Sequence, residues 1–178
     1  MKTAISILRV IIFSAILSSC ISSTTVKVAE NERGVMFKKF GGGIDTTEVL
    51  LPGEYNIAEY DRMYIYNIDE QEGEELVEIR FKDGVEASFN LKYKFKPIAE
   101  KIPLLHYYIG NNYTNSLVKN AIQIGIKEEL EKQLSTDFCA LSEAKQEEIL
   151  MTSAKNAIKR KFIQWESMLI EKSSLACD

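Results

Sequence analysis

The chain is poor in the residues that most metal sites and nucleophilic sites use. Its 178 residues contain three cysteines and a single histidine, His106. The cysteines, Cys20, Cys139 and Cys177, have neither the spacing of metal ligands nor that of a disulfide framework. We therefore expect no metal, no cofactor and no catalytic cysteine–histidine pair, because such sites need clusters of these residues. His106 lies beside two tyrosines, and we expect it to be a packing or a surface histidine.

Basic residues are also too few to form a stripe or a patch. The chain has 22 lysines and arginines against 26 acidic residues, and its formal net charge is -4. Nothing in this pattern would neutralise a series of phosphates, so nucleic acid is excluded as a partner. The glycine run at 41–43 is followed by isoleucine and aspartate instead of the lysine of a phosphate loop, which favours a hairpin tip. The acidic residues 69–75 lack the spacing of a calcium loop and are expected to form a solvated loop.

Long apolar runs are missing as well. The run at residues 10–21, 12 in all, is shorter than the roughly 20 residues that a membrane-spanning helix needs. It follows the basic residues Lys2 and Arg9 and ends in small residues. A charged start, a short apolar core and a small-residue end are typical of a secretory signal.

The end of this run, Leu17-Ser18-Ser19-Cys20, resembles the bacterial lipobox. In lipoproteins the cysteine is diacylated before cleavage and becomes the mature N-terminus. We therefore predict a signal peptide over residues 1–19, lipidation of Cys20 and a polar tether over residues 20–25. The alternative is an ordinary signal peptide that contains a cysteine. Two acyl chains suffice for stable anchoring, so we expect a bacterial envelope protein that is lipid-anchored and faces the periplasm. Because Ile21 follows the cysteine, neither the inner nor the outer membrane is excluded.

The clearest structural signal is strict alternation over residues 77–95, where odd positions are apolar and even positions are polar. This period is typical of two strands that each have one buried face. A two-residue loop would turn the two apolar faces to opposite sides. A three-residue loop at 82–84 pairs Phe81 with Val85 and brings both faces to one side. The sequence therefore predicts a type I turn followed by a left-handed Gly84.

Other strands and helices are predicted around this hairpin. Strands are expected at 26–28 and 34–40, and a strand pair at 54–57 and 63–68 after a type II turn at Pro52-Gly53. Helices are expected from Pro103 to Gly110, over 113–134, and from Ser142 along an apolar stripe that includes Trp165 and reaches Leu169. A last short strand is expected to begin near residue 167. Strands followed by two to three helices indicate the α+β class, with an antiparallel sheet rich in hairpins.

Four motifs then occur in an order and at a spacing that resemble the SPFH domain (stomatin, prohibitin, flotillin; band 7). They are GVMFKKF at 34–40, LPGEY at 51–55, KDGV at 82–85 and LLHYYIG at 104–110. The chain is most similar to the prohibitin branch, and the likeness covers about residues 26–169. It implies an SPFH-like domain over residues 26–170, followed by a C-terminal tail at 171–178.

The resemblance implies a membrane-attached domain without enzymatic activity. Family members assemble into homo-oligomers that organise membrane patches and often restrain membrane proteases. We therefore expect a lipid-anchored scaffold that self-associates and regulates a membrane protease or another membrane protein. Family members usually add a long coiled coil, but residues 134–169 show no sustained heptads. The alternative is a monomeric envelope lipoprotein that binds a peptide or a small ligand.

Overall fold

The computed structural model describes residues 23–175, and these residues form an α+β fold. They contain three small antiparallel sheets and four α-helices. The predicted fold class is therefore confirmed at the level of α+β. No helix within residues 23–175 combines the length and the hydrophobicity that crossing a bilayer requires.

The first five strands form two of the sheets. They are β1 (Ser23–Val28), β2 (Glu32–Lys38), β3 (Gly43–Ile44), β4 (Gly53–Ala58) and β5 (Arg62–Asn67). One sheet has the order β1-β4 and the other β3-β2-β5. The prediction that β4 and β5 pair with each other was wrong, since β4 pairs with β1 and β5 pairs with β2. The alternation of apolar and polar residues predicts where strands lie but not which strands pair. Pairing depends on which arrangement buries the apolar side chains.

The entry into β4 also differs from the prediction. Gly53 has a φ of 158°, which is far from the value near +80° that the third residue of a type II turn adopts. Gly53 is instead the first residue of β4 and lies opposite Val28. The type II turn at Pro52-Gly53 was therefore a wrong prediction.

The third sheet contains the longest strands, β6 (Gln71–Arg80), β7 (Glu86–Pro97) and β8 (Ile163–Ser173), in the order β6-β7-β8. Strands β6 and β7 form the predicted hairpin, in which Val77 lies opposite Phe89 and the Phe81 N–H donates to the Val85 carbonyl at 2.8 Å. Gly84 has a φ of 85°, and its N–H donates to the Phe81 carbonyl at 2.9 Å. The predicted register and the left-handed glycine are confirmed.

Gly84→Val is expected to destabilise the protein by about 1–2 kcal/mol, because a left-handed backbone strains a residue with a Cβ atom. The space beside Gly84 is open, with Arg80 Nη2 at 3.7 Å from the position of an added Cβ, so steric overlap contributes little. Urea denaturation would measure the loss. Gly84→Asn is the control, since asparagine tolerates this conformation better. Equal midpoints for wild type and Gly84→Val would contradict the turn assignment.

Part of the predicted acidic loop is strand. Residues 71–75 belong to β6, where Glu74 lies opposite Lys92 with an ion-pair distance of 3.4 Å. Lys94 forms a second pair with Glu70 at 2.9 Å. Opposite charges on facing strands stabilise a sheet, so the acidic residues here are partners of the lysines on β7. The loop prediction was wrong because it treated this charge run in isolation.

The helices are α1 (Ile102–Tyr108), α2 (Asn120–Leu130), α3 (Ser135–Cys139) and α4 (Glu143–Ala157). A 3-10 turn at Ala99–Lys101 precedes α1, and a π-helical stretch at Thr114–Lys119 leads into α2. Pro103 lies in the first turn of α1, and Gly110 follows its end with a φ of 87°, as predicted. Residues 23–175 therefore contain four α-helices, where two to three were expected.

The additional helix, α3, begins where a simple break was predicted. The carboxylate of Asp83 at the hairpin tip accepts hydrogen bonds from the N–H and the hydroxyl of Ser135, at 2.9 and 2.6 Å. This contact comes from a distant part of the chain, so local sequence could not show it. Cys139 in α3 is disulfide-bonded, although the spacing of the cysteines indicated no disulfide framework.

The last predicted helix ends earlier than expected. Helix α4 stops at Ala157, and the 11-residue strand β8 that follows pairs with β7. Trp165 lies opposite Phe95, and its ring packs against the rings of Tyr93 and Phe95. The stripe had been extended past the real end of the helix because Trp165 and Leu169 are spaced by four residues, as on a helix. The prediction of Trp165 as a core residue is confirmed.

The main core lies between the three-stranded sheet and the helices. The inner face of the hairpin supplies fully buried aromatic and aliphatic side chains, among them Phe89, Leu91 and Phe95. Helices α2 and α4 pack on this face with Ile122 and Leu150. The residues that alternate with the buried ones along the hairpin are mostly polar and form the outer face of the sheet.

Candidate functional site

The predicted lipidation site, Cys20, lies outside the described residues, but the structure shows where the first strand after it begins. Strand β1 starts at Ser23, which pairs with Ala58 of β4. Residues 23–25, assigned above to the tether, are part of this strand. Ser23 is the third residue after Cys20, and three residues span at most about 10 Å. A lipid on Cys20 would therefore hold the body very close to the bilayer.

The topology brings two further segments to the same end of the molecule as Ser23. Strand β4 runs antiparallel to β1, so Ala58 and the turn after it lie beside the start of β1. The end of β2 reaches the same turn, because the Lys39 N–H donates to the Asp61 carboxylate at 3.0 Å. We call this region the anchor end, and it comprises Ser23, residues 38–42 and residues 58–62. The opposite ends of these strands, at Val28, Glu32 and Asn67, form the far end.

A cluster of aromatic side chains joins the first sheets to the helices. The Tyr66 hydroxyl lies 2.6 Å from His106 Nδ1, and the Tyr64 ring lies over His106 with 4.1 Å between centroids. Tyr66 also contacts the ring of Tyr113, whose hydroxyl accepts a hydrogen bond from Gln71 at 2.7 Å. The cluster thus ties β5 to α1 and to the start of β6.

The protonation states of this cluster follow from burial. Burial lowers the pKa of His106 and raises the pKa of both Tyr66 and Tyr113. Neutral forms are therefore favoured, and the Tyr66 hydroxyl shares a hydrogen bond with Nδ1 of a neutral imidazole. The partners of His106 are aromatic rings and one hydroxyl, so this site holds the elements together, in agreement with a packing role.

Acidification is expected to destabilise the wild-type protein through His106. Because the folded-state pKa lies below the ordinary value of 6.5, the unfolded chain takes up a proton first as the pH falls below that value. Stability is then lost until the folded-state pKa is passed. His106→Gln removes this contribution. Thermal denaturation of both proteins from about pH 7 to pH 5 should give a steeper decline for wild type. Parallel declines would contradict a buried neutral histidine.

The concave surfaces are open to solvent. One cleft of about 540 Å³ is lined by charged side chains such as Arg80, Lys127 and Glu131. A second cleft, of about 420 Å³, lies over Tyr93 and Leu169 on the third sheet. Within residues 23–175, no group of three histidine, cysteine, aspartate or glutamate side chains is placed to hold a metal ion.

No protein-family model matches the chain, and no curated protein matches it either. The SPFH resemblance therefore stays a prediction.

Sequence analysis did not single out Phe40 and Tyr60, whose rings meet at the anchor end. The available signal was weak, since it consisted only of aromatic residues placed beside two predicted turns.

Proposed function

We propose that the protein is a lipid-anchored SPFH-like, prohibitin-like scaffold of the bacterial cell envelope. It has no enzymatic activity, self-associates, and organises or regulates membrane proteins such as a membrane protease. The observation that carries this proposal is the lipobox at residues 17–20, which ends three residues before the first strand. Acylation of Cys20 would leave the folded body directly at the membrane surface.

The places of the four SPFH-like motifs in the fold support this proposal. The first motif covers most of β2 and the turn after it, and the second leads into β4. KDGV forms the turn of the long hairpin, and LLHYYIG forms α1 with its closing glycine. KDGV and LLHYYIG thus occupy positions that need their glycine or proline.

The disulfide at Cys139 supports export, because disulfides persist in oxidising compartments such as the periplasm.

Cell fractionation together with mass spectrometry tests the anchor. Wild type should stay in the membrane fraction and begin with an acyl-modified Cys20, whereas Cys20→Ala should be released. Ser19→Ala is the matched control, since it keeps a small residue before the cysteine and should remain membrane-bound. Retention of Cys20→Ala in the membrane, or a mature chain with an unmodified N-terminus, would contradict the proposal.

Light scattering of the detergent-solubilised protein tests self-association. Oligomers whose mass exceeds that of one chain are expected, and affinity capture from membranes should then identify the regulated protein. A monomer at every concentration would contradict the scaffold and favour a monomeric lipoprotein that binds a peptide or a small ligand. The cleft on the outer face of the third sheet supports this second candidate, because it offers the exposed aliphatic side chain of Leu169 beside the charged side chain of Lys92.

A further inference from the structure

Two aromatic rings are exposed together at the anchor end. The Phe40 side chain is 81% exposed and that of Tyr60 is 55% exposed. Their ring centroids are 5.8 Å apart in an edge-to-face arrangement, and the Lys39 ammonium lies 5.4 and 5.0 Å from the two centroids. We call these three residues the aromatic tip. The rings contact each other and the lysine side chain but remain largely in water, so they are available to another apolar phase.

The tip is already ordered in the free molecule. The hydrogen bond from the Lys39 N–H to the Asp61 carboxylate joins the turn after β2 to the turn between β4 and β5. The Asp61 N–H in turn donates to the Ala58 carbonyl at 3.0 Å and closes its own turn. A preformed apolar projection binds with a smaller entropy cost than a segment that must first become ordered.

The position of the aromatic tip indicates which apolar phase it contacts. Tyr60 follows Ala58 by two residues, and Ala58 pairs with Ser23, the residue three places after Cys20. The chain between Cys20 and Ser23 is too short to carry the lipid more than about 10 Å away from this end of the fold. A bilayer that holds acyl chains on Cys20 must therefore lie next to the aromatic tip.

We propose that the aromatic tip inserts into the interfacial layer of the bilayer that holds the lipid anchor, so that the protein is attached at two points. This inference rests on the proposed acylation of Cys20. Tyrosine favours the membrane interface, where its ring is buried and its hydroxyl is wet. Phe40 adds apolar area, and the Lys39 ammonium, which lies beside both rings, is placed to meet lipid phosphates.

The charges at the two ends of the molecule favour this orientation at the membrane but contribute less than the aromatic rings do. The anchor end has three basic and two acidic side chains, namely Lys38, Lys39, Arg62, Glu59 and Asp61. One of the acids, Asp61, already accepts the Lys39 N–H. The far end exposes Glu30 and Asp69, and an anionic lipid surface repels these acids. Burial of the aromatic rings is therefore the main contribution, and the acidic far end opposes the reverse orientation.

The test uses mature acylated protein reconstituted in vesicles with brominated phospholipids, which quench tryptophan at the interface. Phe40→Trp places a probe at the tip, and Leu51→Trp places one at a 58% exposed apolar site near the far end, two residues before Gly53. The native Trp165 is buried and serves as the internal reference. In vesicles we expect the tryptophan introduced at position 40 to show blue-shifted and quenched emission. The emission of the tryptophan introduced at position 51 and that of Trp165 should be unchanged.

An unquenched probe at position 40 in a protein whose Cys20 is acylated would overturn the tip proposal and leave the anchor intact. Equal quenching of both probes would also overturn it, because the body would then lie on the bilayer without a preferred end. A blue shift of the position-40 probe in detergent that grows with protein concentration and needs no vesicles would assign the tip to a second copy of the chain instead. Mass spectrometry that finds Cys20 unmodified would overturn the anchoring proposal itself.

Discussion

Gly125→Ala is expected to destabilise the protein by about 3 kcal/mol or more, at the upper end of the range for overpacked cores. Gly125 lies in α2 where this helix crosses α4. An added Cβ would overlap the Ser153 carbonyl oxygen and come within 2.8 Å of its carbonyl carbon and 3.0 Å of Ala157 Cβ. Two of these atoms are backbone, so relief would require the helices to move apart. In an exposed helix the same change would stabilise the protein by about 1 kcal/mol. Destabilisation would therefore show that the two helices are in close contact at Gly125.

Chemical denaturation measures this effect, and Ile124→Ala is the control. Ile124 is adjacent in the same helix but exposed, so its truncation should change the free energy of unfolding only slightly. Adding Ala157→Gly to Gly125→Ala would relieve the contact with Ala157 but not the contact with the Ser153 carbonyl, so we expect no full recovery. A Gly125→Ala protein as stable as wild type would mean that the two helices do not approach this closely.

Phe138→Ala should cost about 3–5 kcal/mol, the range for removing a buried aromatic side chain. Phe138 in α3 is 1% exposed, and its ring lies 5.8 Å from the rings of both Phe81 and Phe89. Its removal opens a cavity between α3 and the hairpin. Phe40→Ala is the matched control because the same atoms are removed from an exposed ring. A midpoint shift of similar size in both variants would contradict the assignment of Phe138 to the core.

The hairpin could be predicted to single-residue register because its determinants are local. The alternation on both sides of the turn and the left-handed glycine permit one loop length only, as Phe81 and Gly84 show. The limits of α1 were predictable for the same reason, since Pro103 and Gly110 are restricted by their own backbone chemistry.

The failures concern choices that depend on distant residues. Helix α4 and strand β8 were merged because Trp165 and Leu169 also fit a helical stripe, whereas the exposed edge of β7 supplies a partner that makes a strand more favourable. The pairing of β4 with β1 depends likewise on tertiary burial. Helix α3 starts through Asp83, which lies 52 residues before Ser135.

Of the candidate site, sequence could indicate only the proposed lipidation. The lipobox-like pattern at residues 17–20 is local, so Cys20 could be named as the proposed acylation site. The aromatic tip is formed by two turns that lie about 20 residues apart, as the Lys39–Asp61 hydrogen bond shows. Phe40 lies in the turn after β2, where its side chain is 81% exposed. A phenylalanine at this position in sequence looks the same whether it is buried or exposed.

The pairing of β8 with β7 has a consequence for the synthesis of the protein. The longest strand, β7, is complete at Pro97, but its second neighbour ends only at Ser173, close to the end of the chain. During translation one edge of β7 therefore stays unpaired until β8 has been made. An unpaired edge of a hydrophobic strand is an aggregation hazard. A chain truncated after α4 would keep that edge open permanently, and we expect such fragments to be insoluble or degraded.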